Sequence, residues 1–135
     1  VADNNKFLEV KNLKKFFPIK AGFLFRHVIA NVMAVDDVSF SIDKNETFGL
    51  VGESGCGKST VGRALLKLIE PSGGTIAING TDITEKKDKE MLQFRREMQI
   101  VFQDPTSSLN PRMTVGQTLS EPLLFHGIVK DKKAA

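Results

Sequence analysis

An apolar run, Thr47-Phe48-Gly49-Leu50-Val51, is followed at once by Gly52-Glu53-Ser54-Gly55-Cys56-Gly57-Lys58-Ser59 and then Thr60. Beyond it come Val61, Leu65, Leu68 and Ile69 at helical spacing. A strand, a glycine-rich turn and an amphipathic helix in that order match the Gly-x-x-x-x-Gly-Lys-[Ser/Thr] pattern at every fixed position. Gly52, Gly55 and Gly57 lack a Cβ, so the backbone can take positive φ and wrap closely around a polyphosphate. Successive N–H groups of Glu53, Ser54 and Cys56 then converge as a nest for anions. The helix beginning near Lys58 adds the unpaired N–H groups and partial positive charge of its first turn. Lys58 extends over the β- and γ-phosphates as a point charge, and the Ser59 hydroxyl is placed to ligate Mg²⁺. A plain connecting turn would not need three glycines and a Lys-Ser pair.

Around this loop the chain reads as one α/β unit. Its 135 residues, 41% hydrophobic and 26% charged, fit a globular domain and exclude disordered or collagen-like classes. The formal charge of +3, from 19 basic residues among 16 acidic ones, does not call for a nucleic-acid partner. A single cysteine, Cys56, excludes an internal disulfide and a multi-cysteine zinc site. His27 and His126 have no helical partner of ligand type. No apolar stretch is long enough to cross a bilayer.

Alternation predicts strands over 7–13 and 38–42, with a loop from about Pro18 to Asn31 between them. Residues 47–51 and 98–102 read as strands covered on both faces. A helix is expected over 60–69 and ends at Pro71-Ser72-Gly73-Gly74. A strand over 75–78 leads into Asn79-Gly80, a hairpin-turn signal. Residues 82–96 read as a charged helix with Met91, Leu92 and Phe94 turned inward. Residues 103–113 form an exposed loop, and Thr114 caps a last helix in which Pro122 forces a kink or break.

The loop, preceded by Ala34-Val35-Asp36-Asp37-Val38-Ser39-Phe40, resembles the ATP-binding subunit of an ABC transporter. Val101-Phe102-Gln103-Asp104-Pro105-Thr106-Ser107-Ser108-Leu109-Asn110-Pro111-Arg112 narrows the resemblance to the oligopeptide/dipeptide branch of bacterial importers, which includes nickel-type relatives. It extends from Phe7 to about Gly127. It implies a P-loop NTPase fold: an antiparallel β subdomain and phosphate-loop core over about 6–112, with an incomplete core sheet, and the start of a helical subdomain over about 113–135. It implies ATP with Mg²⁺ bound by Gly52 to Thr60, with Ser59 and Gln103 on the metal and Gln103 also facing the attacking water. The adenine would stack on Phe17, with Phe16 as the alternative and Val35 as a further apolar contact.

The same resemblance implies a second ATPase subunit, identical or paralogous, transmembrane permease subunits, and indirectly an extracytoplasmic solute-binding protein. The protein would sit peripherally on the cytoplasmic face of the inner membrane. Leu-Ser-Gly-Gly-Gln, an apolar strand ending in Asp-Glu and the switch histidine do not occur in this sequence. The expectation is therefore an N-terminal fragment that alone binds nucleotide weakly and hydrolyses little. Asp104 does not serve as the metal-directing acid, because only three consecutive apolar residues precede Gln103 and no Glu follows. Two other classes stay open: a soluble nucleotide kinase or GTPase, for which neither an acceptor site nor Asn-Lys-x-Asp is found, and a nucleotide-binding module without turnover. The basic cluster Lys86-Lys87-Asp88-Lys89 with Arg95-Arg96 is interleaved with acids and reads as a solvated face, not a nucleic-acid patch.

Overall fold

The computed structural model describes residues 5–22, 27–102, 104 and 108–131. They fall into two compact units, Val1–Met91 and Leu92–Ala135. The first is built on a four-stranded antiparallel sheet of strands β1 (Lys6–Ala21), β2 (His27–Asp43), β3 (Gly73–Ile78) and β4 (Thr81–Asp82), in the order β2-β1-β3-β4. Helix α1 (Lys58–Leu65) and the short helix α2 (Asp88–Met91) complete it.

Period-two alternation decides which face is buried. Leu8 lies opposite Ile78 and Val10 opposite Ile76, and all four side chains are buried. Leu13, Val35, Val61, Ala64, Ile83 and Met91 extend this core. Asn79 and Gly80 both adopt positive φ, 47° and 75°, as the tight turn between β3 and β4 requires. Asp82 accepts a hydrogen bond from the Thr84 N–H at 2.7 Å, and Thr84 holds the Asp82 carboxyl below the ordinary aspartate range.

The β1–β2 hairpin is longer than its alternation suggests, since Pro18 lies inside β1 and pairs with Asn31. The Phe16 N–H points away from β2, donating to Ser72 Oγ at 3.0 Å. Two residues on, the Pro18 nitrogen faces the same side, beyond the end of β3, where no ladder bond is lost.

Residues 47–51 and 98–102 are not strands. Phe48 stacks on Phe40 with ring centroids 5.0 Å apart, but Val51 is 92% exposed and Val101 94%. An apolar run becomes a buried strand only with hydrogen-bonded neighbours, and among the described residues neither segment has one. Helix α1 also stops early. Lys67 takes φ 53°, Lys67 N–H donates to the Ala64 carbonyl and Leu68 N–H to the Arg63 carbonyl, closing the helix in a Schellman motif. The Lys67 side chain is buried and donates to Glu70 Oε2 and the Thr84 carbonyl, and Leu68 turns outward. In the charged segment only α2 and a 3₁₀ turn, Phe94–Arg96, are helical; Met91 and Phe94 are buried as expected.

In the second unit, helix α3 (Val115–Phe125) begins with Thr114 as N-cap. Gln117 N–H donates to Thr114 Oγ1 at 3.3 Å and Thr114 N–H to Gln117 Oε1 at 2.9 Å, a reciprocal capping box. Pro122 offers no N–H to the Thr118 carbonyl, yet α3 continues to Phe125. No residue of α3 is buried, so its caps carry much of its stability. Thr114→Ala should weaken the first turn by about 1 kcal/mol. Hydrogen exchange at residues 115–118 of the full-length protein should then speed up about fivefold; unchanged protection would show that tertiary packing holds this turn.

Candidate phosphate-binding site

The loop begins as an exposed bend from Gly52 and folds on itself where the Cys56 N–H donates to the Glu53 carbonyl at 3.3 Å. Gly55 and Gly57 take φ 82° and 97°. Gly57 is the N-cap of α1, whose ladder opens with Val61 N–H donating to the Gly57 carbonyl at 2.9 Å. No side chain caps this end and no acidic residue stands in the first turn. Its free N–H groups and the positive end of the helix dipole therefore point to an anion.

Strand β2 is the floor of the loop. A Cβ on Gly57 would come within 2.2 Å of the Ala34 carbonyl oxygen and 3.7 Å of Val35 Cγ2. Val35 is buried beneath the helix start. The Lys58 ammonium folds over the loop, donating to the carbonyls of Gly52 at 2.7 Å and Glu53 at 2.6 Å, with Cys56 Sγ 3.5 Å away. One cation is thus fixed over the loop. The Cys56 side chain lies against Gly52, where an added Cβ would be 2.5 Å from its Sγ.

Gly52, Glu53, Ser54, Gly55 and Cys56 are exposed, Lys58 and Thr60 half-buried, and Ser59 exposed at the second position of α1. Gly52 to Thr60, the expected cradle, are consecutive residues of this loop and helix start, and among their N–H groups that of Cys56 is turned to the Glu53 carbonyl. A triphosphate fits this set: backbone donors and one ammonium line it, and the space over Gly55 is open, with nothing within 4 Å of a Cβ placed there. For a metal ion the exposed side-chain oxygens here are the Ser54 and Ser59 hydroxyls and the Glu53 carboxylate. Among the described residues no cluster of His, Cys, Asp or Glu could hold one. Magnesium suits this arrangement, because it is commonly held by few protein oxygens together with phosphate.

Gln103 lies outside the described residues. Phe17 is exposed on β1 opposite Val32, and the Lys15 ammonium sits 4.9 Å from its ring centroid. Lys15 in turn pairs with Val35. Phe16, the alternative, is half-buried. The support that Ala34 gives through its backbone carbonyl carries no side-chain signal, and nothing in the sequence could have marked it.

A family profile described as "ABC transporter" matches residues 35–135. The probable peptide ABC transporter ATP-binding protein y4tS of Sinorhizobium fredii is 51% identical over 116 residues, covering 86% of this chain and 33% of that protein. The oligopeptide transport ATP-binding protein OppF of Bacillus subtilis is 49% identical over 129 residues, covering 95% of this chain and 40% of that protein. The chain therefore spans between a third and two fifths of the length of these curated relatives. Among solved structures, a dimeric ATP-binding cassette in a post-hydrolysis state, bound to ADP and Pi, superposes with a TM-score of 0.70 at 27% identity, covering 88% of this chain and 47% of that one.

Proposed function

The chain belongs to the ABC transporter family, and from that premise we propose that it supplies the phosphate-binding part of a subunit that binds and hydrolyses ATP to energise peptide import. The observation that carries this reading is the Lys58 ammonium, held 2.7 Å and 2.6 Å from two loop carbonyls above an α1 N-terminus that no side chain caps. Gly52 to Gly57 wrap the phosphates with backbone N–H groups. Lys58 offsets the charge that gathers on the γ-phosphate as its bond to the β-phosphate breaks. Ser59 holds the metal, and Gln103 is its second ligand and orients the attacking water. Mg²⁺, when bound, neutralises the β- and γ-phosphate oxygens. Phe17 stacks on the adenine with Val35 beside it.

The peptide class rests on the names of the two relatives above. The assembly in this reading is a pair of ATPase subunits, as in the dimeric cassette, joined to permease subunits at the cytoplasmic face and fed by a solute-binding protein. The β subdomain and phosphate-loop core take residues 6–112, and residues 113–135 open a helical subdomain. No helix among the described residues is long and apolar enough to cross a membrane.

Labelling of Cys56 tests the placement of nucleotide. Its thiol is exposed inside the loop and touches both Gly52 and the Lys58 ammonium. MgATP should slow its alkylation in the full-length protein more than about tenfold, and prior alkylation should block binding, since a bulky adduct fills the space the phosphates need. Equal labelling rates with and without MgATP would place the nucleotide elsewhere.

A further inference from the structure

The chain leaving α1 is fastened to the strand that carries the expected base platform. The Ser72 N–H donates to the Lys14 carbonyl at 2.7 Å, and the Phe16 N–H donates to Ser72 Oγ at 3.0 Å. Gly74, at φ 85°, lies so close to β1 that a Cβ there would meet the Asn12 carbonyl oxygen at 2.4 Å. From the other side, the buried Lys67 ammonium holds Glu70 Oε2 while also donating to the Thr84 carbonyl. The backbone from Glu70 to Gly74 is thus held by bonds and close contacts that do not depend on Lys15.

Lys15 uses this fixed backbone as its anchor. Its Nζ donates to the Glu70 carbonyl at 2.6 Å and sits over the Phe17 ring, 4.9 Å from the centroid. Two apart on β1, Lys15 and Phe17 share a face of the sheet. An ammonium this near a ring face is drawn to its negative quadrupole. A carboxylate partner would move with its own side chain; a backbone carbonyl in a fastened segment does not. Phe17 is 41% exposed and its cross-strand neighbour Val32 is 50%, so packing alone does not hold the ring. Unheld, such a ring samples several rotamers, and the cost of ordering it would weaken the binding of whatever stacks on it.

We propose that Lys15 is a positioning residue for the nucleotide base: its ammonium, anchored on the Glu70 carbonyl, occupies one face of the Phe17 ring and holds the other toward adenine. This rests on the reading of Phe17 as the adenine platform. Lys15 touches neither base nor phosphate; it acts through the ring. Its anchor lies just past the helix whose first turn faces the phosphates, so base platform and phosphate loop are tied through one element. Inorganic tripolyphosphate, which has no base, is indifferent to this arrangement.

Calorimetry on the full-length protein, with MgATP and with magnesium tripolyphosphate, separates the part of Lys15 from that of Phe17. Lys15→Met keeps the stem and removes the charge; it should weaken MgATP binding about threefold to fivefold and leave tripolyphosphate binding unchanged. Lys15→Arg keeps a cation that can stack on the ring and bond the carbonyl, and should bind MgATP as the parent does. In a Phe17→Ala background, Lys15→Met should have no further effect, since the ring through which it acts is gone. Should Phe17→Ala itself leave ATP affinity intact, the adenine reading fails and the proposal falls with it. Should Phe17→Ala weaken ATP binding while Lys15→Met does not, the proposal alone is overturned. Equal losses for ATP and tripolyphosphate in Lys15→Met would also overturn it and leave Lys15 a purely structural part in fastening the chain that leaves α1. So would a gain in ATP affinity on Lys15→Met, which would mean that the ammonium covers the face adenine needs.

Discussion

Lys58→Ala in the full-length protein should lower its affinity for MgATP by at least about a hundredfold, which calorimetry reads as lost binding heat. Each charge-assisted hydrogen bond to a phosphate oxygen contributes about 1.5–3 kcal/mol, and tenfold in affinity is about 1.4 kcal/mol. The lysine also has a part before any phosphate arrives. Its ammonium joins the carbonyls of Gly52 and Glu53 from the first residue of α1, so the bend is tied to the helix that follows it. Alanine removes the charge and the tie together. The fold should survive, because Lys58 is only half-buried and both partners are carbonyls of its own exposed loop, which water can satisfy. A melting temperature within a few degrees of the parent, with the binding heat gone, is the expected pair of results. Undiminished affinity would mean that some group other than this loop holds the triphosphate.

What the sequence discloses here is governed by how local the controlling interaction is. The Asn79-Gly80 turn needs two positive φ angles in succession, a requirement written into two adjacent residues, and both angles are found. Thr114 and Gln117 satisfy each other's backbone across three residues, so that helix start is equally legible. The phosphate loop is legible for the same reason: its glycines, Lys58 and Ser59 act within nine consecutive positions.

Where the partner is distant in sequence, legibility fails. Residues 47–51 and 98–102 carry the apolar pattern of buried strands, but a pattern cannot supply the neighbour on which a strand depends. The end of α1 is set by Lys67, whose buried ammonium reaches the Thr84 carbonyl 17 residues away. Nothing in the spacing of Leu65, Leu68 and Ile69 signals that tether. Pro18 reads as a loop residue until Ser72 shows which side of β1 its nitrogen faces.

Gly57→Ala should do more damage than Gly55→Ala, although both replace a loop glycine at positive φ. Gly55, at φ 82°, has nothing within 4 Å of the position a Cβ would take. Alanine there bears only the strain of the left-handed region, about 1–2 kcal/mol. Gly57, at φ 97°, bears that strain and would also bring its methyl within 2.2 Å of the Ala34 carbonyl oxygen. The obstacle is backbone in β2, paired along its length with β1, and cannot rotate aside as a side chain would. Either the helix start lifts off β2, uncovering Val35 and Val61, or the β1–β2 ladder deforms near the Lys15–Val35 pair. Each route adds loss of packing to backbone strain, so Gly57→Ala should destabilise by about 3 kcal/mol or more. Nucleotide affinity should fall with it, since the first turn of α1 no longer aims its N–H groups at the loop. Denaturant melts of the two variants side by side make the comparison. Equal stabilities would show that Gly57 does not rest on β2, and the account of β2 as the floor of the site would fail with it.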